Sequence, residues 1–228
     1  MAGLHKSCQP VKVILLSCGS FNPVTHMHLR LFEIARDALH RTGLFKVLEG
    51  VISPVNDAYE KKGLLPSKHR LAMCKLAIKT SDWISVNDWE VNQDGWSKTA
   101  DVLDYMTDKY SKKYSENVKV KLLCGGDLLE SFAVPDLWSD EHIKKIVSEN
   151  GIVVINRYGS NPEQFIYNSD VLTENKNNIH IVTEWITNDI SATKIRTALR
   201  RQESVKYLLP DSVLEYIQTN QLYGSKQT

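Results

Sequence analysis

"CGSFNPVTHMHLRLFEIARD", Cys18 to Asp37, follows directly on the apolar run Val11–Ser17. A run whose centre, Val13–Leu16, is wholly apolar, closed by Gly-Ser and followed by a helix-period segment, starts a strand–turn–helix unit with a buried-looking strand. In the segment His28–His40, Leu31, Ala35, Ala38 and Leu39 fall on one stripe. Gly19 allows close approach to the backbone, and Pro23 sets the entry to the helix. Backbone N–H groups of Gly19, Ser20 and Phe21 can point into a concave turn, with the positive end of the helix beside them. Thr25 and His28 are three residues apart and look back at that turn, so a phosphate held there would meet an imidazole. The stretch has neither the Gly-Lys-Ser/Thr of a Walker loop nor a Gly-x-Gly-x-x-Gly.

Outward from this unit the pattern repeats. Strands are expected at Val11–Ser17, Phe45–Ser53, Ile84–Asp88, Val118–Cys124, Gly151–Asn156 and Ile179–Thr183. Helical segments fall at Ser67–Lys79, at Asp140–Asn150 with Ser139 as cap, and at Asp211–Thr219 behind Pro210. The expected fold is α/β: a Rossmann-like, doubly wound, mostly parallel sheet with helices on both faces and a C-terminal helical portion. Ligands in such sheets bind outside the carboxyl ends of the strands, which marks the turns after Leu16, Ile52 and Leu123. Residues 1–228 read as one domain, with 107–119 as an exposed connector and 1–10 and 224–228 as flexible tails.

Composition narrows the function. With 28 Lys plus Arg against 27 Asp plus Glu, the net charge of +1 does not fit a dedicated nucleic-acid binder. No apolar run approaches the roughly 18 residues of a membrane span, and the first ten residues lack the apolar core of a secretory signal. Cys8, Cys18, Cys74 and Cys124 form no Cys-x-x-Cys pair, so reduced thiols in the cytoplasm or nucleus are expected.

A second marker is "NDISATKIRTALRR", Asn188 to Arg201. Ser191 can cap a helix whose first turns carry Thr193, Lys194 and Arg196. Cations at a helix start oppose the macrodipole, and a bound polyphosphate would supply the compensating charge. The pair "GSFNPxTxxHxR" and "ISxTxIR" resembles the signatures of the nucleotidyltransferase superfamily. More closely, "GVISPVNDAYEKKGLLPSKHRLAM", "SDWISVNDWE", "KLLCGGDLLESFAVPDLW" and "NIHIVTEWITNDISATKIRTALR" resemble the animal mononucleotide adenylyltransferases that make NAD.

The resemblance implies adenylyl transfer from ATP, with Mg2+ carried on the phosphates, to nicotinamide or nicotinic acid mononucleotide (NMN or NaMN). The acceptor phosphate attacks the α-phosphorus directly, so the protein positions groups and neutralises charge. On the matching positions, Gly19, Ser20 and Phe21 lie near the dinucleotide phosphates and His28 binds the α-phosphate. Thr25 stands where the superfamily's first His would be. Lys61 and Lys62 address the ATP phosphates. Trp96 and Thr99, with Leu137 and Trp138, hold the pyridine half, where an aromatic plane suits a flat cation. Gly125 approaches the nucleotide and Asp127 accepts ribose hydroxyls. Glu184 and Asn188 lie on the adenosine side, and Thr193, Lys194, Ile195 and Arg196 form the second phosphate element, where a forked guanidinium suits phosphate. The pair Asp101 and Asp104 reads as a helix face, not as a metal cage. The resemblance also implies a homo-oligomer and a chaperone role toward client proteins. The rival readings are a different adenylyl- or cytidylyltransferase of the superfamily and a non-catalytic chaperone.

Overall fold

The computed structural model describes residues 9–114, 117–156, 161–186 and 188–225. Six strands, β1 (Val11–Gly19), β2 (Phe45–Pro54), β3 (Ile84–Val86), β4 (Val118–Gly125), β5 (Ile152–Asn156) and β6 (Ile179–Thr183), form one sheet in the order β3-β2-β1-β4-β5-β6. Every neighbouring pair is parallel. The strand order reverses between β1 and β4, and that reversal opens a crevice at the carboxyl edge. The doubly wound α/β sheet expected from the sequence is the sheet observed.

The unbroken apolar run of β1 is explained by its two faces. Val13 and Leu15 pack on one side with Phe32, Ala35 and Leu39 of α1 (His26–Arg41) and Met73 and Cys74 of α2 (Ser67–Ala77). Ile14 and Leu16 pack on the other side with Val102, Leu103 and Met106 of α3 (Thr99–Tyr114). From Val13 to Leu16 each successive side chain enters the opposite core, so that stretch has no polar position. Gly50 of β2 lets α1 approach: a β-carbon there would stand 2.6 Å from a ring carbon of Phe32.

After β4 the chain makes α4 (Gly126–Glu130), then α5 (Asp140–Lys145), which runs on as a π-helical turn over Ile146–Asn150. Gly151, at φ +81°, stops it, as the Asn-Gly pair predicts. Then come α6 (Pro162–Tyr167) and α7 (Asp170–Glu174), and after β6 the terminal helices α8 (Ala192–Arg200) and α9 (Asp211–Thr219). Ile195 and Leu199 of α8 and Val213 and Ile217 of α9 close the core on the α1 face.

Of the expected connector 107–119, residues 107–114 are helical. Helix α3 continues to Tyr114, residues 115–116 lie outside the described residues, and β4 starts at Val118. Val102, Leu103, Met106 and Tyr110 form one buried stripe, so the Lys and Ser residues between them belong to the outer face of a helix. Tyr110 donates its hydroxyl to Glu49 Oε1 of β2 at 2.7 Å, and Lys113 pairs with the same carboxylate. Of the expected flexible ends, 1–10 and 224–228, residues 1–8 and 226–228 lie outside the described residues; Gly224 accepts a bond from the Gln202 side chain.

Candidate active site

The turn after β1 is built around one asparagine. Asn22 is buried, donates from Nδ2 to Gly63 O, and accepts at Oδ1 from Leu65 N–H and from the Tyr223 hydroxyl. The Asn22–Pro23 peptide bond is cis, and Phe21 has φ +44°, in the left-handed region that costs a non-glycine residue energy. Thr25 caps α1: its side chain accepts from His28 N–H, and its own N–H donates 3.0 Å to His28 Nδ1. In this capping box an imidazole takes the place of the usual Glu. Because Nδ1 is the acceptor of a backbone N–H, the neutral ring carries its proton on Nε2. The Phe21 ring packs 5.2 Å from the imidazole.

The late marker reaches the same turn. Ser191 caps α8 by accepting from Lys194 N–H, and from the first turns of that helix Arg196 donates 2.7 Å to Asn22 O. Its second arm is held by Thr193 Oγ1 at 3.2 Å. Residues 174 positions apart in the chain thus meet at one turn, with the Arg196 guanidinium beside it.

A cleft of about 610 Å³ opens there. Gly19, Ser20, Phe21, His28, Lys61, Trp96, Thr99, Asp127, Leu137, Trp138, Thr193 and Arg196 all line it. A smaller lobe of about 260 Å³, lined by Gly125 and again by Asp127 and His28, adjoins it, and Thr25 lies in that lobe's wall. Trp96 is 47% exposed with the Tyr59 ring 5.6 Å away, while Trp138 is pinned through its indole N–H to Ser131 Oγ at 3.0 Å.

Five expected site residues stand elsewhere. Glu184 pairs with Arg30 at 3.1 Å and Asn188 caps Ile190 N–H; both line a separate cavity of about 460 Å³ against α1. The Arg30 guanidinium draws Glu184 to that side. Lys62 and Lys194 are exposed and outside the cleft wall, the Lys194 ammonium leaning toward Asp189 O. Ile195 points into the core, because the helix period that turns Arg196 toward the cleft turns its neighbour inward.

Two residues that sequence reasoning missed organise the cleft. Arg70 of α2 is wholly buried and donates to Leu65 O (2.8 Å), Ser20 O (3.1 Å), Val55 O (2.6 Å) and Asp57 Oδ1 (2.9 Å). One guanidinium therefore ties the turn after β1 to the turn after β2. A signal existed: Arg70, Met73, Cys74 and Ala77 are the buried positions of α2, so a cation sits on an apolar stripe. The other is Glu90, 3% exposed, which accepts from Ser53 Oγ at 2.7 Å and lines the cleft. Burial pushes its carboxyl up to about 7, against the Ser53 hydroxyl and the Arg70 charge.

A doubly wound sheet whose first turn and the cation-bearing start of α8 converge over its central strand has the geometry for holding a nucleoside polyphosphate. Residues 16–198 match the cytidylyltransferase-like family. The chain is 46% identical to nicotinamide/nicotinic acid mononucleotide adenylyltransferase 1 of Bos taurus, over 97% of this chain and 92% of that one. It is 44% identical to the nicotinamide-nucleotide adenylyltransferase of Drosophila melanogaster over 97% of this chain, spanning 63% of the length of that relative. A nicotinic acid mononucleotide adenylyltransferase of Plasmodium falciparum shares the fold, with a TM-score of 0.67 over 95% of this chain and all of that one at 18% identity. The chain belongs to the nicotinamide/nicotinic acid mononucleotide adenylyltransferase family of the nucleotidyltransferase superfamily, and it is an enzyme.

Proposed function

We propose that the protein joins ATP to NMN, and to NaMN, forming NAD or its acid analogue and releasing pyrophosphate. A 5′-phosphate oxygen of the acceptor bonds to the α-phosphorus as the bond from that phosphorus to the bridging oxygen of pyrophosphate breaks in line. No enzyme nucleophile takes part. The donor would be magnesium–ATP, the ion arriving on the substrate's phosphates and supplying charge neutralisation there.

The roles follow from the chain's own groups. His28 Nε2–H donates to the α-phosphate, its ring held by the Thr25 cap. Arg196 and Lys61 neutralise the departing pyrophosphate, and the N–H groups of Ser20 and Phe21 complete the anion site. Trp96 and Trp138 flank the pyridinium, with Thr99 and Leu137 beside it. Asp127, between the two lobes, takes the ribose hydroxyls, and the smaller lobe with Gly125 receives the adenosine.

The observation that carries this reading is the bond from Arg196 to Asn22 O, which brings the start of α8 to the turn after β1 in one cleft. Incubating the protein with magnesium–ATP and either mononucleotide, and following dinucleotide formation, tests it. Turnover of another acceptor alone, or of none, overturns it. The reading extends to self-association, supported by the adjacent exposed side chains of Trp185 (86%) and Ile186 (67%), which sedimentation tests. A cytoplasmic or nuclear setting is supported by the free thiols of Cys18, Cys74 and Cys124, and imaging of the tagged chain tests it. Client protection is kept as a secondary role, separable by an inactive variant that still suppresses aggregation.

A further inference from the structure

Glu90 is a buried carboxyl that the transfer itself does not need. It lies in the 3-10 turn Glu90–Asn92, between two aromatic anchors. On one side Trp89 stacks on Tyr105 at 4.4 Å. On the other side the chain leads to Trp96, and Asn56 Nδ2 pins the intervening segment through Glu90 O, Val91 O and Gln93 O at 2.9–3.3 Å. The turn after β2 thus holds Glu90 and Trp96 in the same lobe, where the pyridine ring is placed. Oε2 of Glu90 takes the Ser53 hydroxyl, and Glu90 lines the cleft.

We propose that Glu90 sets the choice between the two acceptors: ionised, it accepts from the carboxamide of NMN, and protonated, it donates to the carboxylate of NaMN. This deepens the adenylyl-transfer reading and rests on it. The two acceptors share the pyridinium, the ribose and the phosphate, and differ only in a group that either donates N–H or is anionic. An ionised carboxyl attracts the first and repels the second, and a protonated one reverses that order.

Three groups bear on its titration. Ser53 from β2 donates to it, the Arg70 guanidinium from α2 favours the ionised form, and the Cys18 thiol of β1 lies near enough to feel its charge. Lys61 and Lys98 are charged residues of the same cleft wall. With the carboxyl titrating at about 7, both forms are populated in the working range. Preference moves from NaMN toward NMN as pH rises, by about tenfold for each pKa unit separating the two complexes. The acceptor phosphate also titrates, near 6, but identically in both acceptors, so it cancels from their ratio.

The test is kcat/KM for NMN and for NaMN between pH 5.5 and 8.5, in the wild type and in Glu90→Gln, with binding of each mononucleotide measured by calorimetry alongside. The expected result is an NMN/NaMN ratio that climbs about fivefold or more across the range in the wild type and stays flat in the variant, at unchanged KM for ATP. A flat wild-type ratio overturns the proposal even if the variant does not fold, and so does the wild-type slope persisting in Glu90→Gln. Absence of product from both acceptors would instead overturn the transfer reading, with the calorimetric ratio still deciding the role of Glu90.

Discussion

Replacing Arg70 by Lys tests whether the two phosphate turns are held by one side chain. The guanidinium makes four bonds from three nitrogens, three of them to carbonyls on separate segments at Ser20, Val55 and Leu65. An ammonium is a single point and cannot span that fork. About two buried carbonyls are then left without a donor, at ~1–3 kcal/mol each, which gives a loss of roughly 2–6 kcal/mol. The Asp57 partner adds little: its side chain is 52% exposed, where an ion pair is worth about 0–1 kcal/mol. Asp57→Asn should therefore cost about 1 kcal/mol, mostly through its bonds to Ser67 N–H and hydroxyl. Urea unfolding at fixed pH gives the stability term, and steady-state kinetics below the unfolding transition give the second consequence. With Ser20 O released, the turn that presents its N–H groups loosens and KM for ATP rises about tenfold. A stability loss under about 0.5 kcal/mol together with unchanged KM would refute the argument.

Three further outcomes are expected. His28→Ala lowers kcat about 10²- to 10³-fold, because a donor aimed at the reacting phosphate is lost; circular dichroism should stay native, since Thr25 still caps α1. Arg196→Lys raises KM for ATP about tenfold while NMN binding, measured by calorimetry without ATP, is unchanged. Lys121→Met stabilises the protein, read from urea midpoints across pH 6–10. Burial, then the Lys119 charge, lowers Lys121 from 10.5 to about 8. Between those values the unfolded state holds the extra proton, so wild-type stability rises with pH through that window and the ammonium is a cost below it. The lowering from 10.5 to about 8 sets a ceiling of about 3 kcal/mol, less the bond to Asn178 at 2.7 Å. The variant should show a flat profile over the window, and a persisting slope would assign it to another group.

Much of the site was legible because its elements are local. Gly19 to Phe21, Thr25 and His28 lie within ten residues, and the cap that orients the imidazole is a three-residue spacing. The cations at the start of α8 were legible as misplaced charge. Helix α3 was misread past Met106 because its exposed Lys and Ser residues outnumber the stripe that Tyr110 continues. The pairing of Glu184 with Arg30 was not legible, because the two are 154 positions apart.

From its own order of residues the chain determined which runs become strands, where they turn, and which side chains stand at those turns, since backbone period, capping and turn chemistry act over a few residues. Tertiary structure alone decided that Arg196 meets Asn22, that Arg70 bridges two turns, and that Glu90 is sealed enough to hold a proton near neutrality. Those properties depend on which distant segments exclude water around a group, and solvent exclusion comes only from packing the whole sheet.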